Sequence, residues 1–211
     1  MQSVGRDART AEAEARFDQL RRGIGGNFGP ALDPIGLRAS LGPISSPVFE
    51  GEPWIGAYRA INNMPDLFGQ PSWPNDKGTV AVTEVDGLLY FGVNSGAPGY
   101  RKADREQANV QRWNLINEYP DIMQTDHIGE APNNSLYHAE ATVLLRAARD
   151  SGGTLAGRSI EVHVDREMCG SCKLVLPYLG MKLGNPVVTF VDSAGIRRTM
   201  WNGTWLSRRA N

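Results

Sequence analysis

Residues 137–172 read YHAEATVLLRAARDSGGTLAGRSIEVHVDREMCGSC, and this stretch decides the fold. YHAEATVLLRAARD (137–150) has the composition of a helix, and Ser151-Gly152-Gly153 ends it. RSIEVHV (158–164) alternates, so Ile160, Val162 and Val164 share one face of a strand. Residues 169–183 form a second helical run that Pro177 is expected to disturb. One strand therefore lies between two helices, which is the unit of an α/β sheet.

Working outward, Thr79–Val85 (TVAVTEV) and Leu88–Val93 (LLYFGV) alternate around Asp86-Gly87, a hairpin signal. Asn94–Gly99 reads as a loop. Residues 102–118 read as a polar helix that turns Val110, Trp113, Leu115 and Ile116 toward something apolar, and Pro120 stops it. Residues 121–135 look irregular. Downstream, Val187–Val191 is a short β-branched strand. Ser193-Ala194-Gly195 turns the chain into Ile196–Trp201, and Trp205 follows. The connection between these last two strands is too short for a parallel crossover, so they should pair antiparallel. The expected class is α/β, a mixed sheet with helices on its faces.

Upstream the signals weaken. Residues 6–22 read as one exposed helix rich in Ala, Glu and Arg. Residues 23–53 are broken by glycine and proline and read as linker-like. Residues 54–78 hold Trp54, Tyr58, Ile61, Met64, Leu67, Phe68 and Trp73, with spacing that allows a short helix before Pro65. The expected division is an N-terminal helix and linker over 1–53, then one folded domain over 54–211.

The chain has 211 residues, which suits one domain with an extension. No apolar run is long enough to span a bilayer, and the N-terminus lacks a conventional signal peptide. The 22 Lys and Arg nearly balance the 23 Asp and Glu, so bulk charge does not advertise a polyanionic partner. Cys169 and Cys172 are the only cysteines, which excludes a disulfide framework.

The chemistry gathers at His138-Ala139-Glu140 and Cys169-Gly170-Ser171-Cys172. The pattern is H-x-E, then one strand, then C-x-x-C at a helix start, the spacing of the zinc deaminases. One imidazole and two thiolates from His138, Cys169 and Cys172 would hold Zn2+ with one tetrahedral position open. A helix N-terminus and the ion both favour thiolate. Glu140 would be the general base rather than a ligand. Positions i and i+2 diverge on a regular helix, so His138 must sit at the helix start. Asn133, Asn134 and Ser135 are the N-cap candidates that would allow this. A thioredoxin-like redox pair and a structural zinc site are the competing readings of the two cysteines. The H-E-x-x-H of metalloproteases is absent.

On these residues the chain resembles the cytidine deaminase-like superfamily, and more narrowly its bacterial polymorphic-toxin deaminases, which include the DNA cytosine deaminase toxins. The resemblance covers residues 79–205 and rests on YHAEATVLLRAAR, SIEVHVDREMCGSCKLVLPYLG and the closing VVTFVDSAGIRRTMWNG. It implies a three-layer sandwich with an antiparallel final strand pair. It also implies zinc-dependent hydrolytic deamination of cytosine to uracil, and a toxin that is secreted or injected and acts in the cytoplasm of a target cell. A cognate immunity protein is implied as well. Met168 stands where the wider superfamily usually has proline. By the same resemblance Asn94 would hold the sugar, though Asn also suits the turn it occupies. Ala139 would offer its N–H to the base. Ser171 would line the pocket or cap a helix, and Tyr137 is the aromatic favoured for the pocket.

Trp113, Trp201 and Trp205 could stack on bases, but packing is the commoner role. His163 is read as solvated or ion-paired beside Glu161, and His127 as part of a surface turn. Arg101-Lys102 with Arg105, Arg197-Arg198 and Arg208-Arg209 are local basic clusters. The resemblance implies a nucleic-acid substrate, with single-stranded DNA expected first because a single strand also avoids the few kcal/mol of extruding a base from a duplex. A deaminase of free nucleosides or nucleotides is the alternative, and a non-catalytic zinc or thiol module is a weaker one that leaves Glu140 unexplained.

Overall fold

The computed structural model describes residues 51–65, 78–124 and 128–206. The helix expected over 6–22, the linker up to residue 50, Leu67, Phe68, Trp73, His127 and Arg208-Arg209 lie outside the described residues.

Among the described residues, six strands form one mixed sheet in the order β2-β1-β3-β4-β5-β6. β1 (Val80–Val85) and β2 (Leu88–Val93) are the expected hairpin, with Val85 opposite Leu88. Asp86 and Gly87 both take positive φ (53° and 79°), as a two-residue type I′ turn requires. β3 (Ser159–Val164) pairs antiparallel with β1 and parallel with β4 (Val187–Val191). β5 (Arg197–Trp201) pairs antiparallel with β4, as its short connection dictates. β6 (Thr204–Leu206), which the sequence showed only as a trailing Trp205, completes the sheet.

Helices cover both faces. α1 (Gly51–Ile61) lies on one, where Ile55, Tyr58 and Met64 pack with Val80, Val82 and Val93, and Tyr58 stacks on Phe91 at 4.8 Å. This helix begins inside the stretch read as linker and runs across residue 53. Its Arg59, near the C-terminal end, is fully buried. The opposite face carries the larger core. There α4 (Ala139–Asp150) and α5 (Gly170–Lys182) pack on Ala81, Ile160, Val162, Val164, Val188 and Phe190. Period two along β1 sends Ala81 into this core and Val80 and Val82 into the other.

α2 (Lys102–Glu118) packs against α4 and α5 rather than on the sheet. Leu115 and Ile116 are buried as expected, but Val110 (57% exposed) and Trp113 (47%) are not. The buried stripe runs through Asp104, Ala108 and Leu115, and Val110 falls on the opposite side of the helix. Pro120 ends α2 and also opens a short helix, α3 (Pro120–Met123), where the missing N–H costs nothing. A 3-10 turn, η1 (Asn133–Tyr137), precedes α4, so the stretch read as irregular carries two short elements.

Pro177 does not break α5. Its ring nitrogen cannot donate to the Lys173 carbonyl. The indole Nε1–H of Trp205 donates to that carbonyl instead, at 2.6 Å, while its ring meets Phe190 edge-on. The β5–β6 hairpin thereby completes the hydrogen bonding of the helix that carries both cysteines. No helix among the described residues is long and apolar enough to cross a membrane.

Candidate metal centre

The N-termini of α4 and α5 meet. His138 occupies the N-cap position of α4 in an extended conformation (φ −86°, ψ 163°), outside the helical turn. That removes the i, i+2 conflict, because Glu140 is already inside the first turn while His138 is not. The cause differs from the one expected. Asn133, Asn134 and Ser135 do not cap α4; they form η1, where the Asn133 side chain accepts from Gly129 N–H (2.7 Å) and donates to the Met123 carbonyl (3.1 Å). The donor groups of α4 are met elsewhere. Ala139 N–H donates to Asn94 Oδ1 at 2.9 Å, across 45 residues, and the Asn94 amide reaches Thr79 Oγ1 at 3.4 Å.

A close approach fixes the depth of this helix. A Cβ added to Gly92 would lie 2.2 Å from the Ala139 carbonyl oxygen and 2.5 Å from Val143 N. Only a residue without a side chain lets the first turn of α4 sit so near β2.

Cys169 is the N-cap of α5 and its sulfur accepts the Cys172 N–H at 3.3 Å. His138 Nδ1 lies 3.6 Å from Cys169 Sγ and 3.3 Å from Cys172 Sγ. The three ligand atoms fall within 4.8 Å of one another, and among the described residues they form the group able to hold a metal ion. Cys169 is exposed and Cys172 buried, so the centre opens on one side. Hydrogen bonds from the Cys172 thiol, then from His138 and the Cys172 N–H, pull the Cys169 thiol down to about 4 against the effect of burial. The Cys169 sulfur and burial push Cys172 up. Burial disfavours charge on His138, but Cys169 and Glu140 outweigh it and raise the imidazole. Glu140 is buried against the Cys172 thiol, and burial raises its carboxyl. An imidazole, two thiols and a buried carboxyl thus converge at two helix starts, beyond what a redox pair of cysteines alone would need.

The other sequence candidates are distributed around this centre. Tyr137, the residue before His138, is buried, and its hydroxyl donates to Asn109 Oδ1. Ser171 is half-buried between the cysteines, and Met168 belongs to the main core. His163 pairs with Glu161 at 2.9 Å on the α1 face, away from the cysteines, as its position beside Glu161 suggested. Trp205 is a packing residue.

Two buried ion pairs tie down the arms of the centre, and the sequence reading had singled out neither. On α4, Arg146 bonds Asp104 of α2 through both Nε (3.0 Å) and Nη2 (2.5 Å), and the carbonyls of Phe91 (2.7 Å) and Gly99 (2.8 Å). On the other face, Arg59 Nε bonds Asp165 (2.7 Å), just after β3, and its remaining nitrogens meet the carbonyls of Pro65 and Gly78. Asp165 also accepts the Val80 N–H at 3.0 Å. An arginine late in a helix reads as an exposed charge near the dipole's negative end, and the distant aspartates are what turn both residues inward. No protein-family model matches this chain, and no curated protein matches it.

Proposed function

We propose that this protein is a zinc-dependent cytosine deaminase with a cytidine deaminase-like fold, acting on nucleic acid with single-stranded DNA favoured, and that it serves as an interbacterial toxin. The carrying observation is the convergence of His138, Cys169 and Cys172 with a buried Glu140 beside them, outside that group. Tetrahedral zinc, with bonds of about 2.3 Å to sulfur and 2.0–2.1 Å to nitrogen, separates these atoms by about 3.6 Å. The separations here are 3.3 and 3.6 Å. Held by His138, Cys169 and Cys172, zinc would supply Lewis acidity toward a hydrolytic water. Glu140 would carry both protons of that water in turn, the first to the ring nitrogen and the second to the departing amine. The oxygen of water bonds to C4 of the base, the bond to the exocyclic nitrogen breaks, and ammonia leaves. His138 and the cysteines hold their positions through the two helix starts, and Asn94 fixes the first turn of α4 through Ala139. The toxin role, its injection into a target-cell cytoplasm and a cognate immunity protein follow from the resemblance of residues 79–205.

The test is parallel incubation with single-stranded DNA, duplex DNA, RNA and free cytidine, scored for conversion of cytosine to uracil, with elemental analysis of the same protein. The expected result is about one zinc per chain and the fastest conversion in single-stranded DNA. Glu140→Gln should retain zinc and lose at least ~10²–10⁴-fold in rate. Conversion of none of the four, or an active enzyme without metal, refutes the reading; preference for free cytidine moves it to nucleoside metabolism.

A further inference from the structure

The metal centre leaves unexplained the exposed side of α2, the helix packed against η1, which leads into His138. Arg105, Asn109, Arg112 and Trp113 recur at spacings of three and four along α2, so they are neighbours on one side of it. The Arg112 guanidinium lies 5.3 Å from the ring centroid of Tyr137 and 5.7 Å from that of Trp113. Arg105 lies 5.8 Å from the ring of Tyr100. Tyr137 precedes His138 in the chain and is held to this helix by its bond to Asn109. The strip of cations and rings therefore leads to the metal ligand.

Two of its arginines lack the carboxylate that most described arginines have. Arg59, Arg146, Arg149, Arg158, Arg197 and Arg198 each pair with a carboxylate. Among the described residues, Arg105 and Arg112 have no carboxylate partner, and Arg112 Nε is buried with no hydrogen bond. A guanidinium stacked on aromatic rings keeps edge N–H donors free for bidentate contact with phosphate. Seven residues separate Arg105 from Arg112, about 10 Å along the helix axis, too far for one phosphate to satisfy both. Trp113 is 47% exposed.

We propose that the Arg105–Trp113 side of α2 binds single-stranded nucleic acid, the two arginines taking different phosphates of one strand and Trp113 stacking on a base that flanks the one entering the metal centre. The entering base rests on the deaminase reading; the binding of the strand does not. The 22 Lys and Arg against 23 Asp and Glu leave no bulk excess of positive charge, so these two arginines are a local source of it.

The experiment is fluorescence anisotropy with a labelled mixed-sequence DNA oligonucleotide, single-stranded or duplex, titrated with the metal-loaded full-length protein at several salt concentrations. Unlabelled cytidine monophosphate serves as competitor. Arg105→Ala with Arg112→Ala should weaken single-strand binding by at least about tenfold and make the salt slope shallower by about 1.4, at 0.7 per phosphate lost. Trp113→Ala should weaken it by about five- to hundredfold. Arg197→Ala, on a paired arginine elsewhere, should change nothing. Zinc content and melting temperature of each variant are measured alongside. If Arg112→Ala disturbs packing at Tyr137, Arg105→Glu at its exposed position carries the same test. The proposal is overturned by a double variant that binds within twofold of wild type at an unchanged slope. A duplex bound more tightly than the single strand, or cytidine monophosphate competing as well as the oligonucleotide, overturns it equally. If wild type converts no cytosine but the double variant loses binding, the reaction falls and the strip stands. If the double variant still converts oligonucleotide cytosine at the wild-type rate, the strip falls and the reaction stands.

Discussion

Arg146 and Arg59 are both buried, both paired with a buried aspartate, and each secures one arm of the metal centre from a different face of the sheet. Arg146 belongs to α4, whose N-cap is His138. Arg59 belongs to α1 and grips Asp165, at the start of the stretch leading to Cys169. Their aspartates are not equally served. Besides Arg146, Asp104 has Arg149 at 3.5 Å and the Arg101 N–H at 2.8 Å. Besides Arg59, Asp165 has the Val80 N–H and the charge of Arg166. Burial opposes charge on both carboxyls. At Asp104 the Arg146 contacts, the Arg101 N–H and Arg149 outweigh it and hold the carboxyl below its ordinary range. At Asp165 burial prevails over Arg59 and Val80, and the carboxyl is raised. The pair that closes the larger core is thus the better compensated of the two.

The hardest way to break this comparison is to delete each cation. Removing one partner of a buried pair costs about 3–5 kcal/mol. Arg59→Ala should fall at the upper end, because Asp165 is left with a single backbone donor, and Arg146→Ala at the lower end, because Arg149 remains. Denaturant unfolding of the two variants measures the order; a costlier Arg146→Ala would reverse it.

A gentler contrast uses two glycines, one on each face. Gly92→Ala forces α4 off β2 and should cost about 1–3 kcal/mol, with weaker retention of zinc against a chelator. Gly56 of α1 has open space where a Cβ would stand. Gly56→Ala should therefore stabilise by about 0.5–1 kcal/mol and leave zinc retention unchanged. Equal effects at the two positions would show that the depth of α4 is not set by Gly92.

The smallest effect is on a slope. A depressed carboxyl contributes stability that is complete above the ordinary aspartate value of about 3.9 and lost as pH falls through its folded value. A raised one contributes stability that is complete below about 3.9 and lost as pH rises through its folded value. The deficit of Asp104→Asn should therefore shrink on acidification, and that of Asp165→Asn should shrink as pH rises above about 4. Unfolding free energies over this range check both signs, and parallel pH dependences would refute the distinction.

The centre was legible in the sequence because its residue types are scarce and chemically specific. The two cysteines, one histidine and Glu140 sit at element starts that Gly, Pro and strand alternation already mark. The hairpin was legible because Asp86-Gly87 satisfies a local dihedral demand. What escaped depends on partners distant in the chain. The Ala139 N–H is met by Asn94, not by the nearby Asn133, Asn134 or Ser135. The Lys173 carbonyl orphaned by Pro177 is met by Trp205. Arg59 is buried because Asp165 lies beneath it. Val110 and Trp113 looked like core on apolarity alone, whereas the helix turned Ala108 and Asp104 inward, the latter because Arg146 waits there.

Arg146 has one more consequence. Among the described residues β2 is an edge of the sheet, and a strand edge is a template onto which a foreign strand can add. The Phe91 carbonyl on that edge strand already accepts the Arg146 Nη1–H at 2.7 Å. An incoming strand would meet a guanidinium where it needs an acceptor, and could pair there only by dismantling the Asp104 tie. At the far edge β6 offers only three residues. The side chain that steadies the metal-bearing helix also guards the protein against edge-to-edge aggregation.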